Sequence, residues 1–321
     1  MTEPIPHWPG RMVSLAVGEP VYVAETPPSV RADKKAKELV LCVHGMAGAA
    51  TNWTDFMGEL AADFDCAAVD LPGSGFSPPP AAKSGYSITA LARTVIRLIE
   101  TLDRGPVHLV GNSMGGAVSI RVAAARPDLL RTLTLVSPVL PDRRVRRELL
   151  QFPLAGLPVA GERIMRRTQL IPPENRVADV LATCFYDPSA MHPDRFKLDV
   201  TELRRRDELG YSATTLSRAA RTIVAENLRP RRYSLWRAAR RITVPTLVTF
   251  GSHDKLVNPR LAVPAQRAFR DGTVLVLSRT GHVAQMERPG LVAELFREMV
   301  DRTRAGGDGV GNSGRRDPVE A

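Results

Sequence analysis

The sequence has no apolar run approaching the roughly 18 residues that a membrane-spanning helix needs, and its 321 residues include only three cysteines and 5% aromatics. The first absence excludes a helical membrane protein. Cys42, Cys66 and Cys184 are odd in number and sit in no metal-type spacing, so they frame neither a zinc site nor a disulfide scaffold. Cys42 and Cys66 fall in apolar runs and read as reduced core residues. The glycine turn at 71–75 lacks the Gly-Lys-Ser/Thr frame of a phosphate-binding loop, and no metal-ligand cluster appears, so no cofactor is expected. The opening residues MTEPIPHWP lack the basic leader and apolar block of a secretory signal, and a cytoplasmic protein is the expectation.

What is present describes a globular chain of one large or two closely joined domains, with 44% hydrophobic and 24% charged residues. The net charge is +10, and its position matters more than its size. Residues 139–241 hold 20 Arg and one Lys against 12 Asp and Glu, a surplus of nine. That reads first as a solvated basic face. Weak contact with an anionic membrane surface, or acceptance of an acidic substrate, is the functional counterpart; no nucleic-acid partner is expected.

Short apolar runs alternate with segments of helical period, the rhythm of a β/α sheet. An entry hairpin is expected over 12–24, then strands over 38–44, 66–70, 107–111 and 131–137. Ser87 can cap a helix whose Leu91, Val95, Leu98, Ile99 and Leu102 follow the helical period, and a second helix spans about 114–125. From 139 to 241 the strands vanish and the chain becomes helical, Arg-rich and proline-punctuated. This is read as an inserted subdomain, with one helix over about 214–228 burying Leu216, Ala219, Ala220, Ile223 and Val224. Strands resume at 244–250 and 273–277, with helices at 260–269 and 289–304, and 305–321 is expected to be a disordered tail.

The chemistry is concentrated in Val110-Gly-Asn-Ser-Met-Gly-Gly116, which sets Ser113 between a strand and a helix in a G-x-S-x-G frame. A sharp strand-to-helix turn leaves no room for side chains two residues either side, so Gly111 and Gly115 carry none. A serine hydroxyl needs a base, and the base an orienting acid. Asp254 follows one late strand and His282 the next, and in a parallel sheet all the carboxyl ends share one edge. A developing oxyanion needs two N–H donors; the turn at His44, Gly45 and Met46 offers the backbone N–H of Met46, beside that of Met114. His44 is read as shaping that loop, and Asn112 as supporting the elbow.

With these motifs in place, the chain resembles an α/β-hydrolase with a helical lid over about residues 10–304. Asp70-Leu-Pro-Gly-Ser-Gly-Phe-Ser77 is similar to the D-x-x-G-x-G-x-S turn of these enzymes, and Gly281-His282 with Glu287 and Pro289 to their closing motif. The resemblance implies a mostly parallel eight-stranded sheet with helices on both faces. Core segments at 10–138 and 242–304 would flank a lid at 139–241. It also implies a serine hydrolase with no cofactor and a small-molecule acyl substrate.

A carboxylic ester is the first substrate reading: Phe152, Leu154, Leu157, Phe185, Tyr186, Phe196 and Trp236 could wall an acyl pocket, although lid aromatics at helical spacing read first as core. Asn112 is similar to the residue before the nucleophile in meta-cleavage hydrolases, which split carbon–carbon bonds. Val283 and the loop Gly45-Met-Ala-Gly48 depart from that branch. A non-catalytic binding protein on the same fold is the third reading. Asp142 is the competitor to Asp254. His108 reads as a satisfied core histidine, Asp70 as a turn anchor, and His7, His192 and His253 have no expected role.

Overall fold

The computed structural model describes residues 5–27, 37–142 and 154–306. Strands β1 (Gly10–Val13) and β2 (Val21–Glu25) form the expected entry hairpin, and β3 (Leu39–Val43) starts the parallel part of the sheet. Helix α1 (Thr54–Leu60) leads to β4 (Asp65–Val69), α2 (Ile88–Leu102) to β5 (Val107–Asn112), and α3 (Met114–Ala125) to β6 (Leu130–Val136). The inserted segment contains α4 (Ala160–Thr168), α5 (Pro173–Cys184), α6 (Pro193–Asp207), α7 (Ser212–Asn227) and α8 (Leu235–Ala239) among the described residues. The sheet resumes with β7 (Thr246–Gly251), α9 (Ala262–Ala268) and β8 (Gly272–Leu277), and α10 (Ala284–Glu287) and α11 (Pro289–Gly306) close the chain.

The eight strands form one sheet in the order β1-β2-β4-β3-β5-β6-β7-β8, antiparallel through β2–β4 and parallel from β4 onward. Both faces are covered, so every residue of β3 and β5 is buried; β3 is apolar throughout, and β5 is interrupted only by His108 and Asn112. Alternate residues feed two cores. Leu41 and Val43 meet Val95 and Leu98 of α2 and Val118 of α3 on one face; Val40 and Cys42 meet Phe56 of α1 and Phe296 of α11 on the other.

Local signals set the ends of these elements. Ser87 Oγ accepts the Ala90 N–H at 3.2 Å and starts α2, which ends at Asp103 in the left-handed region (φ 48°). The inserted helices stand between β6 and β7, at the carboxyl ends of the strands. The last of them, α8, buries Leu235, Ala238 and Ala239 in the sheet-face core.

Helix α7 departs from its expected single stripe. Ala219 and Ala220 are buried as expected, but so are Ala213, Thr215 and Ser217, while Leu216, Ile223 and Val224 are only partly covered. The helix is covered on two sides. Ser217 Oγ donates to the Ala155 carbonyl at 2.8 Å next to α4, and Thr222 Oγ1 to the Tyr86 carbonyl at 2.9 Å on the core. Cys42 and Cys66 are buried free thiols in β3 and β4, and Cys184 is a half-buried free thiol ending α5. No helix among the described residues is long and apolar enough to cross a membrane. Most of the expected tail, and Phe152, lie outside the described residues.

Candidate active site

Ser113 stands between β5 and α3 with φ 55° and ψ −117°, a conformation that costs a non-glycine residue strain. Three bonds hold it. Its N–H donates to the Val136 carbonyl (3.0 Å), and its own carbonyl accepts the N–H groups of Ala117 (3.2 Å) and Val139 (3.0 Å). A Cβ on Gly111 would stand 2.5 Å from Ser119 Oγ, and one on Gly115 would run into the Val43 carbonyl, so both positions need glycine.

Beside this elbow, His282 Nδ1 and Asp254 Oδ2 are 2.8 Å apart, both side chains buried. The other carboxylate oxygen, Oδ1, accepts the N–H groups of Leu256 (2.8 Å) and Val257 (2.9 Å). Burial alone would raise the Asp254 pKa. The His282 charge and hydrogen bond, with those two N–H groups, outweigh it and hold the carboxyl below its ordinary value. An ionised carboxylate only accepts, so His282 carries its proton on Nδ1 and leaves Nε2 as the basic atom.

The histidine loop is fixed to three other elements. Asn112 Nδ2 donates to the His282 carbonyl (3.1 Å) and to that of Val136 (3.0 Å). The His282 N–H donates to Cys184 O of α5 at 2.6 Å. Glu287 accepts Gly281 N–H on Oε2 (2.7 Å) and Tyr186 and Asp187 N–H on Oε1 (2.9 and 3.1 Å).

The loop after β3 lies against the serine: a Cβ on Gly45 would be 3.0 Å from Ser113 Cβ. His44 is buried with Nδ1 2.7 Å from the Gly45 carbonyl, and its Nε2 accepts the Leu71 N–H at 3.0 Å. Burial lowers its pKa to about 4, with the nearby Arg206 charge adding to the effect against the Gly45 hydrogen bond. It is therefore a neutral strut joining two loops. Gly48 N–H closes a turn on the Gly45 carbonyl (3.2 Å), with Ala47 at φ 60°. Met114, first in α3, has no intrahelical acceptor for its N–H.

A cavity beside Met114 is lined by Ala47, Leu71, Tyr86, Leu91, Leu216 and Arg206 among others. None of the six described side chains among those candidate pocket walls lines it. Phe185 and Phe196 pack inside the lid's own cluster with Val177, Leu181 and Val200; Trp236 packs against the core, its Nε1 donating to Pro141 O at 2.8 Å. Leu154, Leu157 and Tyr186 are exposed. Leu203 of α6 and Leu216 of α7 are apolar lid side chains that do line the cavity.

The remaining residues have structural roles. Asp70 accepts the N–H groups of Ala50 (2.6 Å) and Phe76 (2.8 Å), and Ser77 Oγ donates to the Asp70 carbonyl (2.6 Å), which accounts for the D-x-x-G-x-G-x-S turn. A Cβ on Gly75 would collide with the Asp70 carboxylate. His108 lies 2.8 Å from Thr132 Oγ1 and 3.2 Å from Glu38 Oε2, a satisfied core histidine. Asp142 takes Asn258 Nδ2 at 3.3 Å, while Asp254 holds the histidine. His192 caps α6, His7 meets Thr54 at 2.9 Å, and the His253 ring lies 4.4 Å from that of Tyr186, tilted by 54°. Several lid arginines pair with acids of the same segment, as in Arg176–Asp207, Arg204–Glu174, Arg205–Glu202 and Arg229–Glu226, which leaves the surplus of nine unchanged.

A family model described as the alpha/beta hydrolase fold matches residues 38–289, most of the chain. The chain belongs to the α/β-hydrolase fold family. It is 30% identical to the pyrrolizixenacetamide deacetylase of Xenorhabdus hominickii over 283 residues, 87% of this chain and 97% of that one. It is 25% identical to the 2-hydroxy-6-oxononadienedioate/2-hydroxy-6-oxononatrienedioate hydrolase of Cupriavidus pinatubonensis, over 82% of this chain and 85% of the relative. The chain spans 59% and 60% of the length of two longer curated relatives, from Pseudomonas putida and Cupriavidus necator, at 28% identity. Among solved structures, Cfl2 of Burkholderia cenocepacia shares the fold with a TM-score of 0.75 and 20% identity, covering 91% of this chain and 95% of the other.

Proposed function

We propose that this α/β-hydrolase cleaves a small organic carbonyl compound with Ser113 as nucleophile. His282 Nε2 takes the Ser113 proton and delivers it to the leaving group, while Asp254 keeps His282 in the Nδ1–H tautomer and balances the imidazolium. The N–H groups of Met46 and Met114 hold the oxyanion, and water releases the second product. The observation that carries this reading is the buried 2.8 Å Asp254–His282 bond beside a strained serine elbow.

Of the scissile bonds weighed, carbon–carbon cleavage of a vinylogous diketone draws more support than a carboxylic ester. The Cupriavidus relative, named as a hydrolase of a 2-hydroxy-6-oxo dienedioate, aligns over most of both chains. Asn112 is also the residue similar to that branch. Acyl cleavage is the second reading, favoured by Val283 beside the histidine and by the deacetylase relative. The test pairs a fluorophosphonate probe, read by intact mass, with parallel assays of a meta-cleavage diketone and p-nitrophenyl esters. A single adduct lost in Ser113→Ala, with turnover of the diketone, supports the first reading; turnover of esters alone transfers support to the second. An unlabelled, inert protein overturns both in favour of a non-catalytic binding role.

For partners, contact of the lid with an anionic membrane surface rests on Arg163, Arg166 and Arg167, exposed along α4. Co-sedimentation with anionic vesicles that is lost at high salt supports it, and binding indifferent to lipid charge removes it.

A further inference from the structure

Two adjacent arginines at the end of the lid helix α6 dock onto backbone carbonyls of the core. Arg205 Nη2 donates to the Gly75 carbonyl at 2.8 Å, its guanidinium 3.8 Å from the centre of the Phe76 ring. Arg206 Nη1 donates to the Ala47 carbonyl at 2.8 Å and lies 3.5 Å from that of Gly48. Ala47 is the third residue of the turn Gly45–Gly48, and its φ of 60° is a conformation that this turn position ordinarily reserves for glycine. Among the described residues no other group donates to either carbonyl. The residue immediately before Ala47 is Met46, whose N–H direction depends on how that turn is held.

We infer that Arg206 is a positioning residue for the oxyanion loop: by clamping the Ala47 and Gly48 carbonyls it holds the left-handed turn, and so makes the Met46 N–H competent only when the lid is docked. This deepens the proposed function and rests on Met46 serving as a donor there. The lid thus bears on transition-state stabilisation through a core loop, without itself touching the reacting atoms. Arg206 Nε is buried without a partner, and Arg206 lines the cavity beside Met114, so direct capture of a substrate carboxylate is the rival role that the experiment must separate.

The test compares wild type, Arg206→Met, and Arg206→Met combined with Ala47→Gly, because glycine adopts a positive φ without being held there. Turnover is measured on two substrates of the class the wild type accepts, one neutral and one bearing a carboxylate. Amide hydrogen exchange is followed over residues 45–50. The expected result is a fall in kcat of about 10- to 100-fold on both substrates with KM little changed, and faster exchange in the loop. Ala47→Gly should return both toward wild type. A loss confined to KM for the carboxylated substrate would overturn the proposal and make Arg206 an anion anchor. Unchanged exchange in the single variant, or no recovery in the double one, would overturn it as well. If Arg206→Met does not fold, Arg206→Lys keeps the charge and one donor and should give intermediate exchange and kcat. Exchange reads the clamp without turnover, so an inert wild type would sink the hydrolase reading while the clamp was still judged on its own.

Discussion

The side-chain amide of Asn112 reaches across the site and donates to the backbone carbonyl of His282 at 3.1 Å, tying the residue before the nucleophile to the proposed base 170 positions away. The same Nδ2 donates to Val136 O. Asn112→Ala removes both bonds: the Val136 carbonyl still accepts the Ser113 N–H, while the His282 carbonyl is left without this donor, at about 1–3 kcal/mol for such a group. The expected outcome is a lower unfolding midpoint together with a drop in kcat that exceeds any rise in KM. A folded variant with wild-type kcat would show that Cys184 and Asp254 alone hold His282.

Asp254→Asn isolates the role of the carboxylate, because its two oxygens have different partners. The Leu256 and Val257 N–H groups demand an acceptor at Oδ1, so an asparagine keeps its carbonyl there and turns its NH2 toward His282. That forces the proton onto Nε2, where it cannot accept from Ser113. The expected loss in kcat is about 10⁴-fold with the fold intact, as for the equivalent change in a serine protease. Steady-state kinetics beside circular dichroism decide it; a loss under tenfold would remove Asp254 from the proposed mechanism.

These contacts show which parts of the site were legible in the sequence. Ser113, Asp254 and His282 each stand in a turn just after a strand, and the glycines beside them are demanded by local collisions, so short-range pattern was enough to mark them as candidates. Arg206 was hidden among twenty lid arginines because its partner, Ala47, is 159 residues away, and nothing in the spacing of α6 marks which arginine faces a core loop. The cavity lining was hidden for a similar reason. Phe185 and Phe196 have the right character to line a cavity, but the lid needs a core of its own and takes them. Leu216 and Leu91 line the cavity instead, which depends on how α7 docks on α2.

Glu287 joins the lid to the histidine loop, and Glu287→Ala and Glu287→Gln should separate its two ends. Alanine frees the N–H groups of Gly281, Tyr186 and Asp187 together. Glutamine has one acceptor oxygen and serves either Gly281 or the lid pair. The expected order of both thermal midpoint and kcat is wild type, then glutamine, then alanine, with about 1–3 kcal/mol lost in the last. Equal midpoints for all three would show that the Cys184 carbonyl alone joins these segments.

Asp70 gives the fold a pH dependence of unusual sign for a carboxylate. Burial pushes its pKa from an ordinary 3.8 up to about 6, against the pull of the Ala50 and Phe76 N–H groups. Between those values the unfolded chain has released the proton that the folded chain keeps. Stability contributed by Asp70 is therefore fully present at acid pH and is lost as pH rises from about 4 to 6, by about 3 kcal/mol for a shift of two units. Asp70→Asn cannot titrate. It is less stable than wild type at acid pH, because its NH2 faces the Phe76 N–H once its oxygen accepts from Ala50. Its deficit should narrow by that amount between pH 4 and pH 7, since only the wild type pays for ionising a buried carboxyl. Urea denaturation of both proteins at three pH values across this window measures the difference directly. Parallel curves would mean that the Asp70 carboxyl titrates near its ordinary value, and that the two N–H groups outweigh its burial.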